Sequence, residues 1–220
     1  FGNFHTGFGA ENDNRGFELD RSYFGYQYTL ENGLSFKAVM DVGKSSDVDD
    51  LNRIAYIKNA QVSWKHGRLT LNGGLISTTS FKVQEEFWGY RYMKMVLQDY
   101  YKFASSADLG LSVAYKFADW LSMDAIVVNG EGYKKLQKVD GLQYGLGATL
   151  TPAKGLTLRL YGSVNEKSDP TQESINIYAA FAGYKHEKFS IGAEYNRIEN
   201  MGNIEDHNID GVSFYSTIKL

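Results

Sequence analysis

The chain has 220 residues, no cysteine, two prolines and 15% aromatic residues, so it is long enough for one or two soluble domains or for one barrel, and disulfides take no part in it. Its formal net charge of −3 excludes a strongly basic nucleic-acid surface. No stretch approaches the roughly 20 apolar residues of a transmembrane helix, but a β-barrel crosses a membrane without one.

In chain order, 1–10 reads as a weak first strand. It opens on Phe1-Gly2-Asn3-Phe4 with no basic and apolar signal region before it, which reads as a mature or trimmed form. The second strand, 17–30, is ambiguous in phase: Phe17 and Leu19 fall on the face opposite Phe24, Tyr26 and Tyr28. Assigning the later residues to lipid turns Arg21, Tyr23 and Gln27 to the lumen. In 34–43 the period of two is clear, with Leu34, Phe36, Ala38, Met40 and Val42 on one face and Ser35, Lys37 and Asp41 on the other. Segments 54–65 and 69–77 alternate weakly. Segment 108–117 sets Leu109, Leu111, Val113, Tyr115 and Phe117 against Gly110, Ser112 and Lys116, and a weaker 120–129 carries Asp124. Segments 141–151 and 156–165 alternate well, the latter with Arg159 on its polar face. After a weak 173–184, the run 188–196 opposes Phe189, Ile191, Ala193 and Tyr195 to Ser190, Glu194 and Asn196, and Val212, Phe214, Ile218 and Leu220 share one face of the last strand.

The connections sort by length. Those at Asn32-Gly33, His66-Gly67, Ala118-Asp119, Pro152 to Gly155 and His186-Glu187 are tight; those at 11–16, 44–53, 78–105, 131–139, 166–172 and 198–208 are long. Strict alternation of the two lengths follows from an outer-membrane barrel, with short periplasmic turns on one rim and extracellular loops on the other. About twelve strands of about 9–12 residues put both termini on the periplasmic rim and let the sheet close. Tyr26, Tyr28, Trp64, Phe117, Trp120, Tyr184 and Phe189 lie next to the short turns, where an interfacial girdle belongs. The expected architecture is therefore all-β: one domain over 1–220, a transmembrane antiparallel up-and-down β-barrel. Its alternative is a soluble all-β protein whose apolar faces pack together.

One connection breaks the pattern. Residues 78–105 are too long for a structureless loop and rich in helix formers, so a short helix is predicted, with Trp88, Tyr92 and Met95 on one side. As the third extracellular loop, folded inward, it would bury aromatics and present Glu85, Glu86, Arg91, Lys94 and Asp99 to the aqueous lumen. The other placement is a helix over the barrel mouth or against a neighbouring protein.

Catalysis and metals find little purchase. A barrel lipase needs a serine, a histidine and an orienting Asn or Asp together on the outer face. His66 and His186 fall in tight turns, His207 in a loop and His5 in the first strand, none beside an outward serine. No metal-ligand or cofactor signature is present, and Asp47-Val48-Asp49-Asp50 lacks the glycine and frame of an EF-hand, leaving a solvated acidic loop.

The run Gly16-Phe17-Glu18-Leu19-Asp20-Arg21-Ser22-Tyr23-Phe24-Gly25-Tyr26, then Met40-Asp41-Val42-Gly43, Asn59-Ala60-Gln61-Val62-Ser63-Trp64 and Leu71-Asn72-Gly73-Gly74-Leu75, resembles the opening half of the phosphate-selective porin family. The Phe81 to Asp99 loop, with Glu85-Glu86 and Arg91-Tyr92, resembles that family's inward-folded third loop, and Ala125 to Gly130 its strand ending in Asn-Gly. The likeness covers about 16–130, by pattern more than identity, and implies a small divergent member: a passive diffusion channel in the outer membrane of a Gram-negative bacterium. Typical members are larger sixteen-stranded trimers with an arginine ladder. Here the inward set mixes Arg21, Lys37, Lys116 and Arg159 with Asp41, Asp124 and Glu194, and opposed charges cancel much of the field that concentrates phosphate. The expectation is a general diffusion porin for small hydrophilic solutes, in contact with outer-membrane lipid and not with nucleic acid. The rival is a plugged barrel docking on other outer-membrane proteins or on itself, since bore grows with strand number.

Overall fold

The computed structural model describes residues 2–6, 15–19, 21–44, 53–135 and 140–219. The strands are β1 (Gly2–Thr6), β2 (Arg15–Leu19), β3 (Arg21–Thr29), β4 (Leu34–Lys44), β5 (Arg53–His66) and β6 (Leu69–Ser77). Then come two helical turns, α1 (Lys82–Trp88) and α2 (Leu97–Tyr100), followed by β7 (Ala107–Ala118) and β8 (Leu121–Val128). The last five strands are β9 (Gln143–Leu150), β10 (Leu156–Asn165), β11 (Ile175–Lys185), β12 (Phe189–Glu199) and β13 (Ile209–Ile218). From β3 to β13 each strand pairs antiparallel with its sequence neighbour, giving one 11-stranded up-and-down sheet, and β1 pairs with β2 beside it.

The predicted strands are present, with two revisions. The stretch 17–30 is two strands, one ending at Leu19 and the next starting at Arg21. Phe17 and Leu19 are as exposed as Phe24, Tyr26 and Tyr28 despite their opposite parity. The predicted closure is not among the pairings of the described residues: β3 and β13 are the edges of the large sheet, and β1 pairs only with β2. Segment 1–10 holds three glycines, and glycine weakens a strand.

The sheet is inverted relative to a soluble protein. Its exposed face carries Phe36, Met40, Val62, Leu71, Leu111, Leu146, Leu160, Ile191 and Phe214, while Asp41, Asn59, Ser112, Arg159, Ser163, Glu194 and Asn196 are buried on the inner face. Such a wall faces hydrocarbon outside and polar groups within. Inner polar groups bond strand to strand: Ser63 Oγ donates to Asn72 Oδ1 at 2.7 Å, and Asn72 Nδ2 to Ser112 Oγ at 3.0 Å. Of the predicted girdle, all but Phe189 are among the exposed large side chains.

The five tight turns lie where predicted. At the β3–β4 turn Gly33 sits at φ +83°, a left-handed conformation that a β-carbon would strain, and Asn32 Oδ1 accepts the Leu34 N–H at 3.1 Å.

Among the described residues, apolar packing on the inner face gathers in two clusters. Leu97 and Phe103 of the third loop cluster with Ile177 and Ile198, and Ile76, Ile126 and Val128 form a second patch. Strands β6, β8 and β11 therefore carry apolar residues on both faces, which blurs their alternation. In β5 the cause is different: Val39 pairs with Asn59 but Met40 with Ile57, so Lys58 is an extra residue and the outward set changes parity.

Leu146 stands on the outer face near the middle of β9. Leu146→Arg is expected to cost about 2–4 kcal/mol of folding into lipid vesicles, followed by urea titration. A change within about 0.5 kcal/mol, normal for an exposed leucine of a soluble protein, would remove the lipid-facing assignment.

Candidate functional site

The third loop folds inward and is fastened to the wall at several points. Its ends are drawn together where Thr78 N–H donates to the Ser106 carbonyl at 3.2 Å and Thr78 Oγ1 to that of Ser105. Arg159, 1% exposed, donates from Nη2 to the Thr79 carbonyl at 2.9 Å, while its Nη1 reaches Asp124 and, at 3.0 Å, Thr149 Oγ1. Gly147 makes room for it, since a β-carbon there would stand 2.1 Å from Arg159 Nη2. Further on, the Leu97 N–H donates to Glu194 Oε1 at 3.1 Å, and Gln98 bridges Ser80 Oγ, at 3.0 Å, to Asn196 Oδ1, at 2.7 Å. Phe87 meets Phe181 edge-on, with ring centroids 5.1 Å apart. The loop thus lies against β10–β13.

The helix within it is shorter than the predicted one. Gly89, at φ +74°, stops α1 with its N–H on the Glu85 carbonyl at 2.9 Å. Trp88, Tyr92 and Met95 do not share a helix face; Tyr92 and Met95 are exposed, and the buried anchors are Phe81, Phe87, Leu97 and Phe103.

Of the loop charges, three come together. Arg91 Nε lies 2.6 Å from Glu85 Oε1 and its Nη2 lies 2.6 Å from Asp99 Oδ2. Burial pushes the Glu85 carboxyl above its usual range although Arg91 pulls the other way. Burial also works against the Arg91 charge, but Asp99, Tyr23 and Glu85 together outweigh it and the guanidinium is held above its ordinary value. Glu86 and Lys94 stand apart. Glu86 faces Lys82 at 3.8 Å in solvent, and Lys94 Nζ sits 3.7 Å over the Tyr100 ring while its carbonyl accepts from Trp88 Nε1.

The predicted lumen set divides between two walls. Asp124 and Arg159 pair with each other, and Glu194 holds the Leu97 N–H, so these three serve the wall that the loop covers. On β3 and β4, Arg21 Nε lies 3.1 Å from the buried Asp41 Oδ1, and Lys37 is half-buried. Lys116 lies at the short-turn rim, 2.9 Å from Asp119. His66 stacks on Trp64 and His186 lies against Phe189, both in tight turns, while His207 Nδ1 is 3.0 Å from the Met201 carbonyl. The side chain of His5 and the run Asp47 to Asp50 lie outside the described residues.

Sequence reasoning missed Lys58, Tyr133 and Lys134. Tyr133, in the β8–β9 connection, donates from its hydroxyl to Asp41 Oδ2 at 2.6 Å. Burial, then that bond, push the phenol pKa up. Lys58 is turned inward by the bulge, which alternation cannot anticipate, and a long loop has no period from which to place Tyr133 or Lys134.

No family model matches the chain, and no curated protein matches it. Solved structures do. Two substituted variants of the Rhodobacter blastica porin superpose with TM-scores of 0.56 and 0.57 at 13% identity, each alignment covering 91% of this chain and 70% of that one. A third variant gives a TM-score of 0.54 at 14% identity, with the same coverage. This chain has a porin fold. Within that fold the apolar outer wall, the polar inner wall and the inward third loop are parts of one arrangement.

Arg159 ties the loop to the wall and neutralises Asp124. Arg159→Met should cost about 3–5 kcal/mol in urea unfolding from vesicles, because it strands a carboxylate against the inner wall. Adding Asp124→Leu should recover most of the loss. No recovery would mean that the charge pair is not what the site depends on.

Proposed function

We propose that the protein is an outer-membrane porin of a Gram-negative bacterium, through which small hydrophilic solutes and ions diffuse passively past the third loop. The observation that carries this reading is the polar inner wall with a charged loop folded onto it. Glu85, Arg91 and Asp99 form the loop's fixed charges, and Arg21, Lys37 and Asp41 line the wall across from them. Arg91 feels Tyr23 of β3, and Glu85 feels Lys58 of β5, so this cluster looks toward that wall. Acidic and basic groups on opposite sides would set a transverse field that orients polar solutes. Glu86 and Lys94, exposed on the loop, would add to the field at its rim. The mixed charges favour general diffusion over phosphate selectivity.

The firm fastening of the loop, with Gln84 and Gln98 fully buried, supports a second reading: a plugged barrel acting as an accessory subunit of a larger outer-membrane assembly. Neither reading uses a catalytic group or a cofactor.

Single-channel recording in planar bilayers separates the two. The channel reading expects ohmic steps that grow when residues 82–100 are replaced by a short Gly-Ser linker. Silence in the parent with steps only after replacement would establish the plugged barrel.

The loop also sets a pH dependence. With its pKa raised, Glu85 takes up a proton before an ordinary carboxyl as pH falls from 7, leaving Arg91 less compensated and the constriction more positive. Reversal potentials in a KCl gradient should shift toward anions on acidification, and Glu85→Gln should flatten the early part of that shift. An unchanged profile in the variant would remove Glu85 from the pore.

A further inference from the structure

The inner faces of β3, β4 and β5 and the β8–β9 connection build a second charged cluster, opposite that of the loop. Its carboxylate Asp41 is already engaged by Arg21 Nε at 3.1 Å and by the Tyr133 hydroxyl at 2.6 Å. Two lysines complete it, and they are held by tyrosines. Lys58 Nζ lies 4.7 Å from the Tyr23 ring centroid and 3.3 Å from its hydroxyl oxygen. Lys134 Nζ lies 4.8 Å from the Tyr56 centroid. The Tyr133 ring is near both, its centroid 5.8 Å from the Lys58 ammonium and 5.9 Å from that of Lys134. Among the described residues neither lysine has a carboxylate within ion-pairing distance.

The kind of partner matters. A carboxylate beside a lysine positions it and cancels its charge, whereas an aromatic ring positions it and leaves the charge in place. Arg21 lies on Asp41, while Lys58 and Lys134 meet rings and no described carboxylate, in a chain whose net charge is −3. Glu85 across the lumen attracts Lys58 but is paired with Arg91 at 2.6 Å. Burial first, then Arg21, Lys102 and Lys58, lower the Lys134 pKa against the pull of Asp41, and an added anion would oppose all four. The bulge at Lys58 puts two successive residues inward, and bulges commonly re-aim a side chain in this way.

We propose that this notch binds a small organic carboxylate bearing a planar ring, its carboxylate between the ammonium groups of Lys58 and Lys134 and its ring against Tyr133. The inference deepens the channel reading by naming a solute class, and it rests on that reading only for transport. Binding itself does not require conduction.

The test titrates the refolded protein in detergent with benzoate, with acetate as the ringless anion, inorganic phosphate as the ringless oxyanion and benzyl alcohol as the uncharged ring. Saturable benzoate binding at least 10-fold tighter than each of the three is the expected result. Lys58→Gln with Lys134→Gln should weaken benzoate at least 10-fold, and Tyr133→Leu should bring benzoate down to the level of acetate. Lys154→Gln with Lys188→Gln, at the short-turn rim, should change nothing. Benzoate no tighter than acetate in the parent protein overturns the proposal without reference to any variant, and phosphate tighter than benzoate replaces it with a simple oxyanion site. Bilayer recording of the same preparation separates the two levels. Conduction without benzoate preference sinks the notch and leaves the channel; benzoate binding in a silent barrel sinks the channel and leaves the notch.

Discussion

A hydrocarbon layer offers the backbone no hydrogen bonds, and that deficit governs the rest of the structure. Every N–H and C=O that crosses must find a partner in a neighbouring strand, so a chain of strands crosses only as a sheet whose members pair in order. The unbroken antiparallel run from β3 to β13, with each strand bonded to its sequence neighbour, is the direct result. Once the backbone is satisfied in this way, side chains are free to sort by solvent. Phe36, Leu111, Leu146 and Phe214 face outward, and Asn59, Asn72, Ser112 and Asn196 face inward, where neighbouring strands and the loop supply hydrogen-bond partners that offset burial.

A polar inner wall in turn determines what can be packed against it. The third loop does not sit on an apolar bed; it is fastened by Arg159, Glu194, Gln98 and Asn196, with Phe87 and Leu97 filling the small apolar areas between. Charge pairs on this wall are held in a setting where removing one partner costs more than the pair itself contributes. The result is a loop with one side committed to the wall and the other left with Glu85, Arg91 and Asp99, whose mutual pairing keeps the guanidinium in one place. Opposite it, on β3 to β5, tyrosines take the part that acids play elsewhere, and Lys58 and Lys134 keep their charge.

Much of this was legible in the residues. Period-two alternation in β4, β7, β9, β10, β12 and β13 is strong because one face is lipid and the other polar along their length. The strands that read weakly did so for identifiable reasons: a break between β2 and β3, the Lys58 bulge in β5, glycines in the first segment, and inward apolar residues on β6, β8 and β11. The tight turns were readable because Asn-Gly and similar pairs encode a backbone conformation locally. The helix end was also encoded, in Gly89, and the longer predicted helix ran past that signal.

The sequence by itself determined the class of fold, the order of the strands, which face meets lipid in the strands that alternate cleanly and which loop stands out, because each depends on neighbours within a few residues along the chain. Tertiary structure alone decided the partners. That Arg159 reaches Thr79 and that Tyr133 crosses to Asp41 are contacts between segments far apart in the chain, and that Arg91 holds Glu85 and Asp99 while Glu86 and Lys94 turn away depends on how the loop itself folds. Their geometry depends on where the loops come to rest on the inner wall. Alternation assigns a side chain to a face; it carries no distance across the lumen, and it was in those distances that the lysine and tyrosine notch came to light.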